Sequence, residues 1–146
     1  MFGPLGKADS CHIMSRKHCL EFDSYKKFDT DKSNRLALSK DFHSFYDGIN
    51  CTIPVFNISI HSVSDKPISN GRYQVELLIK LINSDYKKKV FGSLKKESYK
   101  VENDDLAMIT SVLILDPVVF RKCIEWKYKD IDDKWKEYFS MTPAVD

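Results

Sequence analysis

Two histidines and an asparagine stand in an order that suits metal-assisted hydrolysis. His12 directly follows Cys11, and the segment from Asn34 to Asp47 carries His43 near its end. A neutral imidazole takes a proton from water near neutral pH, and it is also a common metal ligand. Two imidazoles separated by a long loop, with an asparagine before the second, therefore predict a site for one divalent metal and one activated water.

The elements around these residues are predicted to be short. Residues 1–34 are polar and interrupted by turn residues, which favours loop with one short strand near Cys11–Met14. Leu36 and Leu38 then alternate with Arg35 and Ala37, a step typical of a strand. The two strands would together support the first histidine.

A short helix is predicted over Lys40–Asp47. Ser39 suits the N-cap, and Asp41 lies in the first turn, where the helix dipole favours an acid. Gly48 supplies the end of the helix. Aromatic side chains at spacings of three and four give this helix one face toward the core: Phe42, Phe45 and Tyr46.

The rest of the chain predicts an antiparallel sheet and a long amphipathic helix. Strands are expected over residues 51–63, 72–82, 90–94 and 108–115, with a tight turn at Asn70-Gly71. Asp116-Pro117 marks a helix start. Apolar residues then form one stripe that predicts core packing: Phe120, Ile124, Tyr128, Ile131, Trp135, Tyr138 and Phe139. These patterns predict an α+β fold in a single domain, 1–146, with strands mainly in 49–115 and helix over 116–140.

The pattern at the start of the chain resembles a known family. His-Ile, a loop, Asn-x-Leu-x-Leu and then His-x-x-Tyr-Asp is similar to the HNH endonuclease motif of the ββα-metal fold, over residues 10–48. The resemblance implies a metal-dependent endonuclease that hydrolyses phosphodiester bonds in nucleic acid, with DNA as the expected substrate and RNA as the alternative. It implies Mg²⁺ or Mn²⁺ as the cofactor, with Zn²⁺ as the alternative.

The resemblance also assigns roles to individual residues. His12 would be the general base that activates water, Asn34 would hold the strand that carries it, and His43 would bind the metal with Asp47. Family members often place Asp or His before the first histidine as a second metal ligand, and here that residue is Cys11.

The cysteine leaves several interpretations open, because a thiol is a poor ligand for magnesium and prefers softer ions. Asp9, Asp47 or a substrate oxygen would complete the shell, a softer metal would be used, or activity has been lost. The alternative function is therefore a catalytically inactive HNH-fold domain that binds nucleic acid or a protein partner.

Two other candidate metal sites overlap the same segment. Cys11, His12, His18 and Cys19 form a Cys-His-x5-His-Cys pattern that is a weak candidate for zinc. Residues 29–40 resemble the start of an EF-hand calcium loop, but its twelfth position carries Lys40 where a bidentate glutamate is needed. A working calcium site is not expected.

A lysine-rich region is the candidate nucleic-acid surface. Its residues would contact phosphates without sequence selectivity: Lys87, Lys88, Lys89, Lys95 and Lys96. The alternative is a solvated hairpin whose lysines protect an edge strand.

The composition narrows the class of protein. The 146 residues are 42% hydrophobic and 30% charged, as in an ordinary globular domain, and the net charge of +2 is too small to indicate a polyanion partner by itself. No apolar run is long enough to span a membrane. The first residues lack a secretory pattern and the four cysteines are scattered, so we expect an intracellular protein, cytoplasmic or nuclear, with free thiols.

Overall fold

A two-stranded hairpin followed by a helix forms the first part of the molecule. This computed structural model describes residues 9–48, 53–92, 94 and 96–141. Strand β1 (Asp9–His12) pairs antiparallel with β2 (Arg35–Leu38). Helix α2 (Lys40–Asp47) follows directly and has the predicted bounds. The hairpin and the helix thus bring β1 and Asp47 together.

The connection between the two hairpin strands is more ordered than the sequence predicted. It contains helix α1 (Arg16–Glu21) and 3-10 turns over Asp23–Phe28 and Lys32–Asn34. The Ser15 hydroxyl accepts a hydrogen bond from the His18 backbone N–H at 3.2 Å and so begins α1. A helix of less than two turns has too short a periodic pattern to be recognised in sequence.

The second part is a four-stranded antiparallel sheet in the order β3-β4-β6-β5. Its strands are β3 (Phe56–Val63), β4 (Tyr73–Leu81), β5 (Tyr99–Asn103) and β6 (Leu106–Leu115). The ends of β3, β4 and β6 agree with the predicted strands within five residues. Residues 51–52 of the first predicted strand lie outside the described part of the chain. The alternation along β4 is confirmed, since one set of its side chains is buried: Val75, Leu77, Ile79 and Leu81.

The strand predicted over residues 90–94 is wrong in its described part, and β5 was not predicted. Residues Lys87–Gly92 form helix α3. The Asn83 side chain accepts a hydrogen bond from the Asp85 backbone N–H at 3.1 Å and starts the 3-10 turn Ser84–Tyr86, which leads into α3. Val90 and Phe91 are buried by that helix, and this apolar pair had suggested a strand.

Helix α4 (Pro117–Met141) packs one face against the core along most of its length. Phe120, Ile124 and Ile131 are buried, whereas Tyr128 and Phe139 are 41% and 62% exposed, so the predicted core stripe is correct only in part. None of the described helices combines the length and apolarity that crossing a membrane requires.

The two parts share one hydrophobic core, to which the hairpin, the sheet and α4 all contribute. The Ser33 hydroxyl accepts a hydrogen bond from the Asp116 backbone N–H at 2.8 Å and ties the first part to the start of α4. The predicted α+β class, with antiparallel strands and a C-terminal helix, is confirmed.

Candidate metal centre and active site

Three potential metal ligands from different parts of the motif meet in space. The Cys11 sulfur, a His43 ring nitrogen and an Asp47 carboxylate oxygen all lie within 4.8 Å of one another. His43 Nε2 is 2.8 Å from Asp47 Oδ2, and Cys11 Sγ is 3.9 Å from the same oxygen. The cluster offers one sulfur, one nitrogen and one oxygen, a mixed set suited to a borderline-soft divalent metal.

The two ends of α2 set the position of this cluster. Ser39 Oγ accepts a hydrogen bond from the Phe42 backbone N–H at 3.3 Å, as predicted for the N-cap. His43 and Asp47 are four residues apart and so lie on one face of the helix. Gly48 ends the helix with φ of 75°, and a Cβ there would lie 2.7 Å from the Ile53 carbonyl carbon, so glycine is required.

Asp9 orients the His43 ring from the opposite side. Its Oδ2 is 3.2 Å from His43 Nδ1, which leaves Nε2 directed at Asp47. A carboxylate that accepts a hydrogen bond from one histidine nitrogen while the other binds metal is a common arrangement at metal centres. The sequence left open whether Asp9 is itself a metal ligand. In the structure it lies outside the trio of Cys11, His43 and Asp47, and it orients one member of that trio.

Removing the Asp9 carboxylate should weaken metal binding. We expect Asp9→Asn to lower Zn²⁺ affinity about 10- to 100-fold, because the ring orientation and basicity of His43 would no longer be supported. Competition with a zinc-chelating dye measures this constant. The matched control is Asp41→Asn, which changes an exposed carboxylate of α2, the helix that carries His43. Equal affinities for the two variants would contradict the role of Asp9.

His12 stands beside the trio at the end of β1, and its ring has a defined partner. Nε2 lies 3.0 Å from the Asp29 backbone oxygen and 3.4 Å from Asp29 Oδ1. Because a carbonyl oxygen can only accept, Nε2 must donate, and the neutral ring keeps its lone pair on Nδ1. Arg35 also donates to the Asp29 oxygen at 3.0 Å, which fixes this acceptor in place. His12 is therefore held in the tautomer that a general base needs.

His12, His43 and Asp47 open into the same groove, which has a volume of about 360 Å³. Cys11 is fully buried beneath it. The groove also contains three cationic side chains that the sequence analysis did not identify: Arg16, Lys127 and Lys134. For Lys127 a signal existed, since a lysine four residues before Ile131 falls on the buried face of α4. For the other two, the sequence contained no comparable signal.

Asn34 supports the loop that follows β1. Its fully buried side chain accepts a hydrogen bond from the Met14 backbone N–H at 2.7 Å. It donates to the Met14 and Phe28 carbonyl oxygens at 3.1 and 3.0 Å. The Asn34 backbone oxygen accepts from the Ile13 N–H at 2.9 Å. These bonds hold the residues after His12, which is the position expected for a supporting side chain.

Truncation of Asn34 should therefore cost stability. Asn34→Ala removes three buried hydrogen bonds to the backbone and leaves the Met14 N–H without its acceptor, and we expect the free energy of unfolding to fall by about 3 kcal/mol. Urea unfolding followed by circular dichroism gives this value. Asn103→Ala, which removes an exposed amide with one local hydrogen bond to the Asp105 N–H, should cost less than about 1 kcal/mol. Similar losses for both variants would contradict a special role for Asn34.

Burial controls the thiol of the cluster. The pKa of Cys11 is raised to about 12, mainly because the side chain is buried and further because the Asp47 carboxylate is close. Without metal, Cys11 is a neutral thiol at physiological pH. Cys19 and Cys123 are also buried free thiols, as predicted, and Cys51 lies outside the described residues.

The two competing metal sites are not assembled. The His18 ring packs among aromatic rings, with centroids 4.8 Å from Phe22 and 5.3 Å from Trp126, and not beside Cys11. In the segment that resembles a calcium loop, the Asp31 side chain accepts a hydrogen bond from the Ser33 backbone N–H at 2.9 Å and caps the 3-10 turn Lys32–Asn34. Within the ranges that the structure describes, the trio is the one group of histidine, cysteine and acidic residues with metal-ligand spacing.

The predicted lysine surface lies apart from the groove. Lys87 pairs with Asp104 at 3.2 Å, and Lys89 Nζ is 5.3 Å from the Tyr86 ring centroid. Lys88 is exposed. None of these three lines the groove. Lys95 and the side chain of Lys96 lie outside the described residues.

Comparisons with known proteins identify no relative of this chain. Searches with family models, among curated proteins and among solved structures found no match. The function is therefore inferred from the trio, the groove and the side chains around them.

Proposed function

We propose that this domain is an HNH-like, metal-dependent endonuclease that hydrolyses phosphodiester bonds in nucleic acid. The observation that carries the proposal is the position of His12, which adjoins Cys11 in sequence and shares a groove with His43 and Asp47. A proton acceptor, a three-ligand cluster and a space for substrate meet at one place.

The three side chains fit a divalent metal, and the thiol favours Zn²⁺ over Mg²⁺ or Mn²⁺. Cys, His and Asp are all ordinary zinc ligands, and a catalytic zinc site has three protein ligands and one open position. A bound metal would stabilise the charge on the phosphate and on the departing oxygen. Cys11 would bind as a thiolate, Asp47 through Oδ2 and His43 through Nε2, while Asp9 holds Nδ1.

His12 would act as the general base. Its Nε2 stays hydrogen-bonded to the Asp29 oxygen while Nδ1 accepts a proton from water. The oxygen of that water forms the new bond to phosphorus, the ester P–O bond breaks, and the departing oxygen is protonated from solvent. The Asp29 carboxylate, 3.4 Å from Nε2, would stabilise the resulting imidazolium.

The cations of the groove would hold the substrate. Arg16 is 71% exposed at its side chain and Lys134 is partly exposed, so both can reach a phosphate from the groove wall. Such contacts provide affinity without sequence selectivity. DNA remains the preferred substrate, and an intracellular location agrees with the free thiols of Cys11, Cys19 and Cys123.

Supercoiled plasmid provides the direct test. The protein is stripped of metal with a chelator and then supplied with Zn²⁺, Mn²⁺ or Mg²⁺ in separate reactions. We expect nicked plasmid only where metal is returned, and inhibition when chelator is added again. Intact plasmid under all three metals would overturn the nuclease proposal.

A second function, nucleic-acid binding without cleavage, is supported by one observation. Lys127 Nζ lies 2.5 Å from Asp47 Oδ1, and both ring nitrogens of His43 face carboxylates. The cluster is thus satisfied without metal. Gel-shift binding of plasmid fragments together with a failure to nick under every metal would favour this function.

The lysine-rich region has its own test. Replacing Lys87, Lys88 and Lys89 together by Gln should weaken DNA binding and make the binding constant less dependent on salt. The slope of log affinity against log salt should fall by about one for each phosphate that is no longer neutralised. Fluorescence anisotropy at several salt concentrations measures the slope. The matched control replaces the exposed Lys17, Lys26 and Lys27. An unchanged slope would leave Lys87–Lys89 as a solvated surface.

A further inference from the structure

Lys127 is a buried cation whose position the proposed reaction does not explain. Its side chain is only 3% exposed, yet it comes from α4, far along the chain from the hairpin and α2. Nζ lies 2.5 Å from Asp47 Oδ1 and 4.0 Å from Asp130 Oδ2. It also lies 4.4 Å from the centroid of the Tyr46 ring. An ammonium removed from water needs such partners, so its position is closely defined.

The two oxygens of Asp47 have different partners as a result. Oδ1 accepts from Lys127, whereas Oδ2 faces His43 Nε2 at 2.8 Å and Cys11 Sγ at 3.9 Å. Lys134 donates to the Asp47 backbone oxygen at 3.4 Å and further fixes this residue. The carboxylate cannot turn its second oxygen toward the cluster without giving up a buried ion pair.

We propose that Lys127 is a positioning residue that restricts Asp47 to one metal-binding oxygen and thereby limits the protein to three donor atoms at the centre. The inference depends on the metal centre of the proposed function. A three-ligand centre keeps an open position for water or a phosphate oxygen. It also discriminates against Ca²⁺, which takes more protein oxygen ligands than one carboxylate oxygen supplies. The metal preference of this site is thus set partly from α4, outside the hairpin-helix motif.

Cobalt binding to the full chain tests the role of Lys127. Four-coordinate Co²⁺ absorbs visible light more strongly than five- or six-coordinate Co²⁺, so the spectrum reports the coordination number. We expect strong absorbance from the wild type and several-fold weaker absorbance from Lys127→Met, because Asp47 would then offer both oxygens. Met keeps an unbranched side chain of similar length and removes the ammonium, together with its contact on the Tyr46 ring. Lys129→Met, an exposed position of the same helix, should retain the wild-type spectrum.

A measurement on the unaltered protein covers the case in which Lys127→Met does not fold. X-ray absorption of the zinc-loaded wild type should show four ligands, one of them sulfur at about 2.3 Å. Five or six ligands in the wild type, or identical cobalt spectra for wild type and a folded Lys127→Met, would overturn the inference. So would a failure of the wild type to bind either ion. A four-coordinate centre in a protein that cuts no plasmid would overturn the nuclease function and support the role of Lys127.

Discussion

Replacing His12 by Ala is expected to lower the rate of plasmid cleavage about 10²- to 10⁴-fold, the usual contribution of a general base. His12 is held by the Asp29 backbone oxygen in the tautomer that leaves Nδ1 able to take a proton. The variant loses the Nδ1 proton acceptor of His12 but keeps the three ligand side chains of the cluster. Metal affinity and DNA affinity should therefore change little, and single-turnover cleavage at saturating metal measures the loss.

The control for this substitution is another histidine of the same chain. His61 is an exposed residue of β3 and lies outside the groove. His61→Ala should cleave at the wild-type rate. If His12→Ala also cleaves at that rate, His12 is not the base, although the groove and the metal cluster would keep their roles in binding.

The affinity for zinc is expected to rise steeply with pH, and Cys11 is the reason. Its pKa is raised to about 12 in the metal-free protein, so the thiol must lose a proton when metal binds anywhere below that pH. Each proton displaced increases the apparent affinity about 10-fold per pH unit, so Cys11 alone contributes about 100-fold between pH 6 and pH 8. The sign is fixed because metal competes with the proton, and raising pH removes the competitor.

Cys11→Asp isolates this contribution. The ordinary pKa of a carboxyl group is about 4 units below that of a thiol. Although burial and Asp47 would raise the pKa of either group at this position, the carboxyl group loses its proton at a lower pH, so the slope of log affinity against pH should fall by up to about one for the variant. The same change exchanges sulfur for oxygen and should shift preference from Zn²⁺ toward Mg²⁺ and Mn²⁺. Cys123→Ser, at a buried thiol outside the cluster, should keep the wild-type slope. Equal slopes for the wild type and Cys11→Asp would show that Cys11 is not a ligand.

Local sequence determined the elements that carry the site. Ser39 and Gly48 set the two ends of α2, because a capping hydroxyl and a left-handed glycine act within one turn of their own position. The alternation of buried side chains along β4 was equally readable, since it follows from the two-residue period of a strand. The order of His12, Asn34 and His43 indicated which residues the hairpin and helix would have to bring together.

Local sequence misled where an element is short or where only part of its apolar face is covered. The apolar pair Val90 and Phe91 suits a strand as well as a helix, and α1 has fewer than two turns. The period of α4 predicts an apolar face but not what covers each residue of that face. Tyr128 is exposed although it lies between the buried Ile124 and Ile131. Phe139 is exposed beyond Trp135, which packs against the core.

Only the tertiary structure decided the chemistry of the centre. The placement of Asp9 on the far nitrogen of His43, and of the Asp29 oxygen on His12, depends on how the hairpin and its connecting loop fold together. The pairing of Lys127 with Asp47 joins residues eighty positions apart. Local patterns report which face of an element is apolar, whereas the partner of a buried polar group depends on which elements pack together.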